Sequence, residues 1–120
     1  MSVRNYRDLI AWQKAMDFAE EVYRLTKSFP SEERFSLTVQ LRRAATSVPS
    51  NIAEGEGRFS KPDFRRFLSI AHGSLREAET QLLLAVRLGY LDAPSVDRAQ
   101  EFASETGRLI QGLAKSLARD

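Results

Sequence analysis

The residues of this chain that could do chemistry concentrate between Gln40 and Arg66. An arginine pair, Arg42 and Arg43, shares its segment with Gln40, Ser47, Asn51 and Glu54, so a stretch with an apolar stripe also carries specific polar groups. Two kinds of chemistry fit. In the first, an arginine beside an apolar stripe lays its stem over the core and pairs with a carboxylate on a neighbouring helix. Arg43 with Glu77 or Glu54 would be such a pair at the edge of the core, and Gln40, Arg43, Asn51, Glu54 and Glu77 would form a structural polar network that sets helix register. In the second, Arg42 and Arg43 join Arg58, Lys61, Arg65 and Arg66 in a surface that binds phosphate. We assign Arg43 the structural role and leave nucleic-acid binding, to RNA or DNA, open for Arg58, Lys61, Arg65 and Arg66. Phe59 beside Arg58 could stack on a base, but is read as a hydrophobic staple against the following helix.

Other chemistries lack their parts. A di-metal site in a helical bundle needs Glu-x-x-His pairs, whereas the chain has one histidine, His72, with serine at position 69. Glu54 and Glu56, and likewise Glu77 and Glu79, are two residues apart and point to different sides of a helix. Ser74 lies two residues after His72, so their side chains diverge and cannot share a proton. His72 reads as a hydrogen-bonded helix residue, and Gly73 and Ser74 as small residues that let helices approach. Gly55-Glu-Gly57-Arg58 has no Walker lysine, and its glutamate would repel phosphate; a helix end and turn account for both glycines. No cofactor, metal or catalytic set is expected, and the chain reads as a non-enzyme.

Charge adds a regional bias rather than a global one. The net charge is only +2, yet between Arg34 and Arg76 eight bases face three acids, while the remainder holds ten bases and thirteen acids. With 120 residues the chain fits one domain, taken as 1–120, and can bury a real core without metal or disulfide. The absence of cysteine suits a reducing cytoplasm, and no uncharged apolar run is long enough to cross a bilayer. A soluble cytoplasmic protein is expected.

Four segments carry the helical period that would position these residues, and none alternates like a strand. The first, about 6–28, has a seam of Leu9, Trp12, Met16, Ala19, Tyr23 and Thr26, with a second stripe of Ala15, Phe18, Val22, Leu25 and Phe29. Phe29-Pro30 ends it. The second, about 31–55, is expected to be capped by Ser31, to carry Leu41, Ala45, Val48 and Ile52 in phase across a kink at Pro49, and to stop at Gly55–Gly57 in a left-handed cap. The third, about 61–89, starts at Ser60-Lys-Pro-Asp63, runs through Phe64, Phe67, Leu68, Ala71, Leu75, Ala78, Leu82 and Ala85, and ends at Gly89 under Tyr90-Leu91. The fourth, about 94–118, buries Val96, Ala99, Ala103, Thr106, Ile110, Leu113 and Leu117. With connections of two to five residues, this predicts an all-α, up-down-up-down antiparallel four-helix bundle. The apolar surface exceeds what one bundle hides, so self-association is expected, with Trp12, Phe18, Leu25 and Leu84 as candidate interface residues.

Several of these residues recur in a known pattern. The runs are Leu9-Ile-Ala-Trp12-Gln-Lys-Ala15, Phe29-Pro-x-x-Glu33 and Leu37-Thr-x-Gln40-x-x-Arg43-Ala-Ala-x-Ser47-x-Pro49-x-Asn51-Ile-Ala-Glu54-Gly55. They continue in Ile70-Ala-x-Gly73-Ser74-Leu75-x-Glu77 and Leu88-Gly-Tyr90-Leu91. Together they closely resemble the bacterial 23S rRNA-intervening sequence protein family over about residues 4 to 115. The resemblance implies an up-down bundle assembled as a ring-shaped homopentamer, without enzyme activity. Some relatives are encoded within insertions in large-subunit ribosomal RNA genes. A ring would repeat a modest basic patch around its rim, so that avidity could support RNA binding. The alternative is a protein-interaction scaffold that binds no nucleic acid.

Overall fold

The computed structural model describes residues 5–118; both chain ends, including residue 4 where the family resemblance begins, lie outside the described residues. Four helices form: α1 (Ile10–Thr26), α2 (Leu37–Glu56), α3 (Lys61–Arg87) and α4 (Asp97–Leu117). Each packs on its sequence neighbours and α1 closes on α4, which gives the up-down-up-down bundle, 48 × 25 × 21 Å. None of the helices is long and apolar enough to cross a membrane.

α1 begins later than its periodicity suggests. Asn5 and Asp8 instead close a reciprocal cap around a 3-10 turn at Tyr6–Asp8, and Leu9 is extended, so the α-helix starts at Ile10. Its buried face also differs from the expected seam. Ala15, Phe18, Val22, Leu25 and Phe29 are in the core, whereas Met16 and Tyr23 are exposed and Leu9 and Trp12 sit at the edge. The small buried residues Ala11, Ala15 and Ala19 let α1 approach its neighbours, while the Trp12 ring packs edge-on against Tyr6 with ring centroids 5.4 Å apart.

The connection from α1 to α2 takes residues 27–36, longer than the two to five residues expected. Phe29 is buried against Tyr90, ring centroids 5.6 Å apart, and the chain needs a 3-10 turn at Ser31–Glu33 to reach the start of α2. Ser31 therefore does not cap α2. Glu33 does part of that work, its carboxylate accepting from the Leu37 amide at 3.2 Å. From there α2 runs unbroken through Pro49, with Leu41, Ala45, Val48 and Ile52 fully buried. It ends at Gly57 in right-handed geometry (φ −76°), not the left-handed cap expected. The need for glycine lies at Gly55, where a Cβ would stand 2.8 Å from both Phe64 Cδ1 and Phe67 Cβ. That contact lets the end of α2 rest directly on the start of α3.

α3 follows the sequence reading closely. Ser60 Oγ accepts from the Asp63 amide at 3.2 Å, and Phe67, Leu68, Ala71, Leu75, Ala78, Leu82 and Ala85 are buried. Gly89 adopts φ +80°, which allows the Tyr90 amide to reach the Ala85 carbonyl at 3.0 Å and folds Tyr90 back over the helix end. A 3-10 turn at Pro94–Val96 leads into α4, which buries Ala99, Ala103, Thr106 and Ile110, with Leu113 and Leu117 at the edge of the core.

Candidate functional site

The turn between α2 and α3 gathers Arg58, Lys61, Arg65 and Arg66 at one end of the bundle. Their charges are largely engaged. Arg58 lies 3.9 Å from Glu54 and 3.8 Å from Asp63, while Arg66 Nε donates to Asp63 at 3.0 Å. The guanidinium carbons of Arg58 and Arg66 each sit 4.5 Å from the centroid of the buried Phe67 ring. Arg65 Nε donates to the Ala114 carbonyl at 3.1 Å, where α4 approaches its end and its carbonyls run out of amide partners. Lys61 lines a shallow depression with Pro62, Arg65, Leu117 and Ala118. Phe59 is wholly exposed and touches no staple partner, which corrects that expectation and leaves its ring open to solvent among the bases.

On α2 the expected polar network is only partly assembled. Asn51 Nδ2 donates to the Ser47 carbonyl (2.8 Å) and hydroxyl (2.9 Å), and Ser47 Oγ meets Ser74 Oγ of α3 at 2.9 Å. That chain of bonds joins α2 to α3 at mid-height. The Arg43 pair is absent: Arg43 is exposed, Glu54 turns to Arg58, and Glu77 accepts a long bond from Gln81 at 3.4 Å. Gln40 is exposed. The register between α2 and α3 is held instead by the serines and by Gly55 against Phe64 and Phe67. Arg42, not Arg43, is the anchored arginine. Its Nε donates to the buried Thr26 hydroxyl at 2.7 Å, and its guanidinium lies 4.6 Å from the Tyr23 ring centroid.

The candidate interface residues divide. Phe18 and Leu25 lie inside the chain's own core, at 0% and 4% exposure, and cannot meet a partner; this corrects their assignment as surface residues. Trp12 is half-buried, and Leu84 is exposed. Other exposed apolar residues lie on α3 or just past its end: Ile70 at 42%, Leu83 at 51% and, at the helix cap, Leu88 at 49% exposure. Ile70, Glu77 and Leu84 recur at seven-residue spacing and so share one face. Phe35 also projects into solvent, with Arg34 4.8 Å above its ring.

Two groups escaped the sequence reading. Tyr90 donates to Glu33 Oε2 at 2.7 Å, joining positions 57 residues apart. This bond and the one from the Leu37 amide hold the Glu33 carboxyl below its ordinary range, and the carboxylate in turn raises the Tyr90 phenol. Buried Glu21 accepts from Arg24 Nε at 3.0 Å and also contacts its terminal nitrogen, which raises the Arg24 pKa; the pair lines a cleft with Asp17, Glu20, Arg98 and Phe102. His72 differs from its expectation as a hydrogen-bonded residue, since Nε2 is buried without a partner, next to Gly107 of α4. Among the described residues no three His, Asp or Glu side chains are grouped to hold a metal.

The family model described as 23S rRNA-intervening sequence protein matches residues 7–112. A crystal structure of a protein with unknown function from the S23 ribosomal protein family, from Bacteroides thetaiotaomicron, superposes with a TM-score of 0.80. It is 28% identical, and the alignment covers 88% of this chain and 98% of that one. Among curated proteins nothing matches.

Proposed function

Since this chain belongs to the 23S rRNA-intervening sequence protein family, we propose that it works as a non-enzymatic, self-associating bundle whose copies meet through the outer face of α3. The observation that carries this reading is the set Ile70, Leu84 and Leu88, the last just past the end of α3: three large apolar side chains within about 40° of one another around the helix axis and 42% to 49% exposed, with Leu83, 51% exposed, about 100° further round. Glu77 and Gln81 stand on the same face between Ile70 and Leu84, and Ser47 of α2 borders it through its contact with Ser74, so the face mixes apolar and polar groups as protein interfaces do. The assembly proposed on the family resemblance is a homopentamer, in which each copy would offer one face to the next and a second face to the previous one. Sedimentation equilibrium tests it. The wild-type chain should sediment as an oligomer, and Leu84→Glu should shift it towards monomer with its helical circular dichroism unchanged. A wild-type chain that is monomeric at micromolar concentration would sink the reading.

Nucleic-acid binding at the α2–α3 turn is the second reading, favoured by one observation: the Phe59 ring is open to solvent, next in sequence to Arg58 and two residues before Lys61. The neighbouring acids temper it. From Glu54 to Arg66 four bases face three acids, so affinity would rely on repetition around an assembly. RNA affinity should fall as salt rises, with a smaller slope for Arg65→Ala/Arg66→Ala. Absence of binding at low salt would leave the scaffold role alone.

A further inference from the structure

The arginines of α2 differ from those of the turn in being unspent. Arg42 is fixed from two sides, by the Thr26 hydroxyl at 2.7 Å and by the Tyr23 ring at 4.6 Å. Arg43 stands exposed beside it. Among the described residues no carboxylate oxygen lies within 4.0 Å of either guanidinium, whereas Arg58 and Arg66 share Asp63 and Arg65 holds a carbonyl. Both arginines line a shallow cleft of about 310 Å³ between α1 and α2, with Tyr23, Val39 and Thr46. The Thr46 hydroxyl is turned to the backbone, donating to the Arg42 carbonyl at 3.0 Å, so the cleft's strong donors are the two guanidiniums.

We propose that this Tyr23–Arg42–Arg43 cleft binds a phosphate group, carried either by a free phosphate ester or by a nucleic-acid backbone. With Nε of Arg42 already used, its two terminal nitrogens keep the planar fork that suits a tetrahedral oxyanion. The Thr26 bond and the Tyr23 ring hold that fork before any ligand arrives, which reduces the ordering cost of binding. Two adjacent positive charges match the charge of a phosphate monoester near neutral pH, about −1.5 to −2, better than that of a single carboxylate. Arg42 lies about 24 Å along the chain axis from the α2–α3 turn, so the cleft is a separate site and not an extension of the basic turn.

The full chain would be titrated with inorganic phosphate and, separately, with a short single-stranded oligouridylate, following the arginine Nε–Hε and Tyr23 ring resonances by NMR. Saturable shifts at Arg42 and Tyr23 are expected. Arg43→Gln should weaken binding about tenfold or more, as loss of one charge-assisted contact does, and should leave folding undisturbed, because among the described residues the Arg43 side chain makes no ion pair or hydrogen bond. Thr26→Val should weaken it less, by freeing the Arg42 fork while keeping both charges. Arg65→Ala/Arg66→Ala should leave it unchanged, which separates this site from the basic turn, and sedimentation reports self-association independently. Saturation by phosphate alone assigns a free phosphate ester, and saturation by the oligonucleotide alone assigns a backbone; either supports the site. No saturation by either up to about 10 mM, equal displacement by acetate, or indifference to Arg43→Gln would overturn it.

Discussion

Tyr90 closes the end of the bundle where α3 stops and α2 begins, and its bond to Glu33 is the clearest electrostatic tie in the fold. The sign of its pH dependence follows from the two shifts. Glu33 titrates below its ordinary 4.5, so its contribution is complete above that value and is lost as pH falls through the lowered folded value. Tyr90 titrates above its ordinary 10.0, so its contribution is complete below that value and is lost as pH rises through the raised one. Urea midpoints should therefore be flat between those limits and decline on both sides. Tyr90→Phe should remove the alkaline decline and shrink the acid one, leaving the part due to the Leu37 amide. A constant offset between variant and wild type at every pH would refute this tie. None of it was legible in the sequence, because spacing along a helix says which face a residue is on and nothing about a partner 57 positions away. The same gap explains Arg43, expected in a pair at the edge of the core but exposed in the fold, since the carboxylates that could have met it turned to Arg58 and Gln81 while Arg42 took the anchored place.

At the level of the helices, the signals that are local came through well. Ser60 caps α3, Gly89 ends it, and the apolar phase across Pro49 marks one continuous α2. What failed was choosing between adjacent stripes of α1. Two stripes side by side are both helical, and only packing decides that Phe18 and Leu25 go in while Met16 and Tyr23 stay out. Gly55 is similarly ambiguous from sequence, reading as a stop signal when its role is to admit α3. Gly55→Ala places a methyl 2.8 Å from Phe64 Cδ1 and Phe67 Cβ and 3.2 Å from the Phe64 carbonyl, so the two helices must part. Thermal and urea unfolding should show a loss of about 1–3 kcal/mol, typical of overpacking. Gly107→Ala is the contrasting case. Its added Cβ would meet Leu75 Cδ2 at 3.6 Å, an ordinary contact, and helix propensity should then raise stability by about 0.5–1 kcal/mol. If both variants were equally destabilised, close approach at Gly55 would not be what requires glycine there.

For the molecule as a whole, the residues that build the core differ from those proposed to mediate assembly, and that makes the two separable. Phe18 is fully enclosed by its own chain, so Phe18→Ala should cost about 3–5 kcal/mol whether or not copies associate. Leu84 is 44% exposed, so its replacement removes little from the single bundle and acts on whatever covers it. If self-association binds only the folded chain, it must stabilise that chain by mass action, and the melting temperature must rise with protein concentration. Scans of the wild type over a hundredfold range of concentration should show that rise. Leu84→Glu should melt at one temperature throughout, close to the wild type at its most dilute. Phe18→Ala should melt lower everywhere while keeping the concentration dependence, because the α3 face is intact. A wild type whose melting temperature ignores concentration would mean that the apolar residues of α3 simply face water, and the assembly would have no thermodynamic basis.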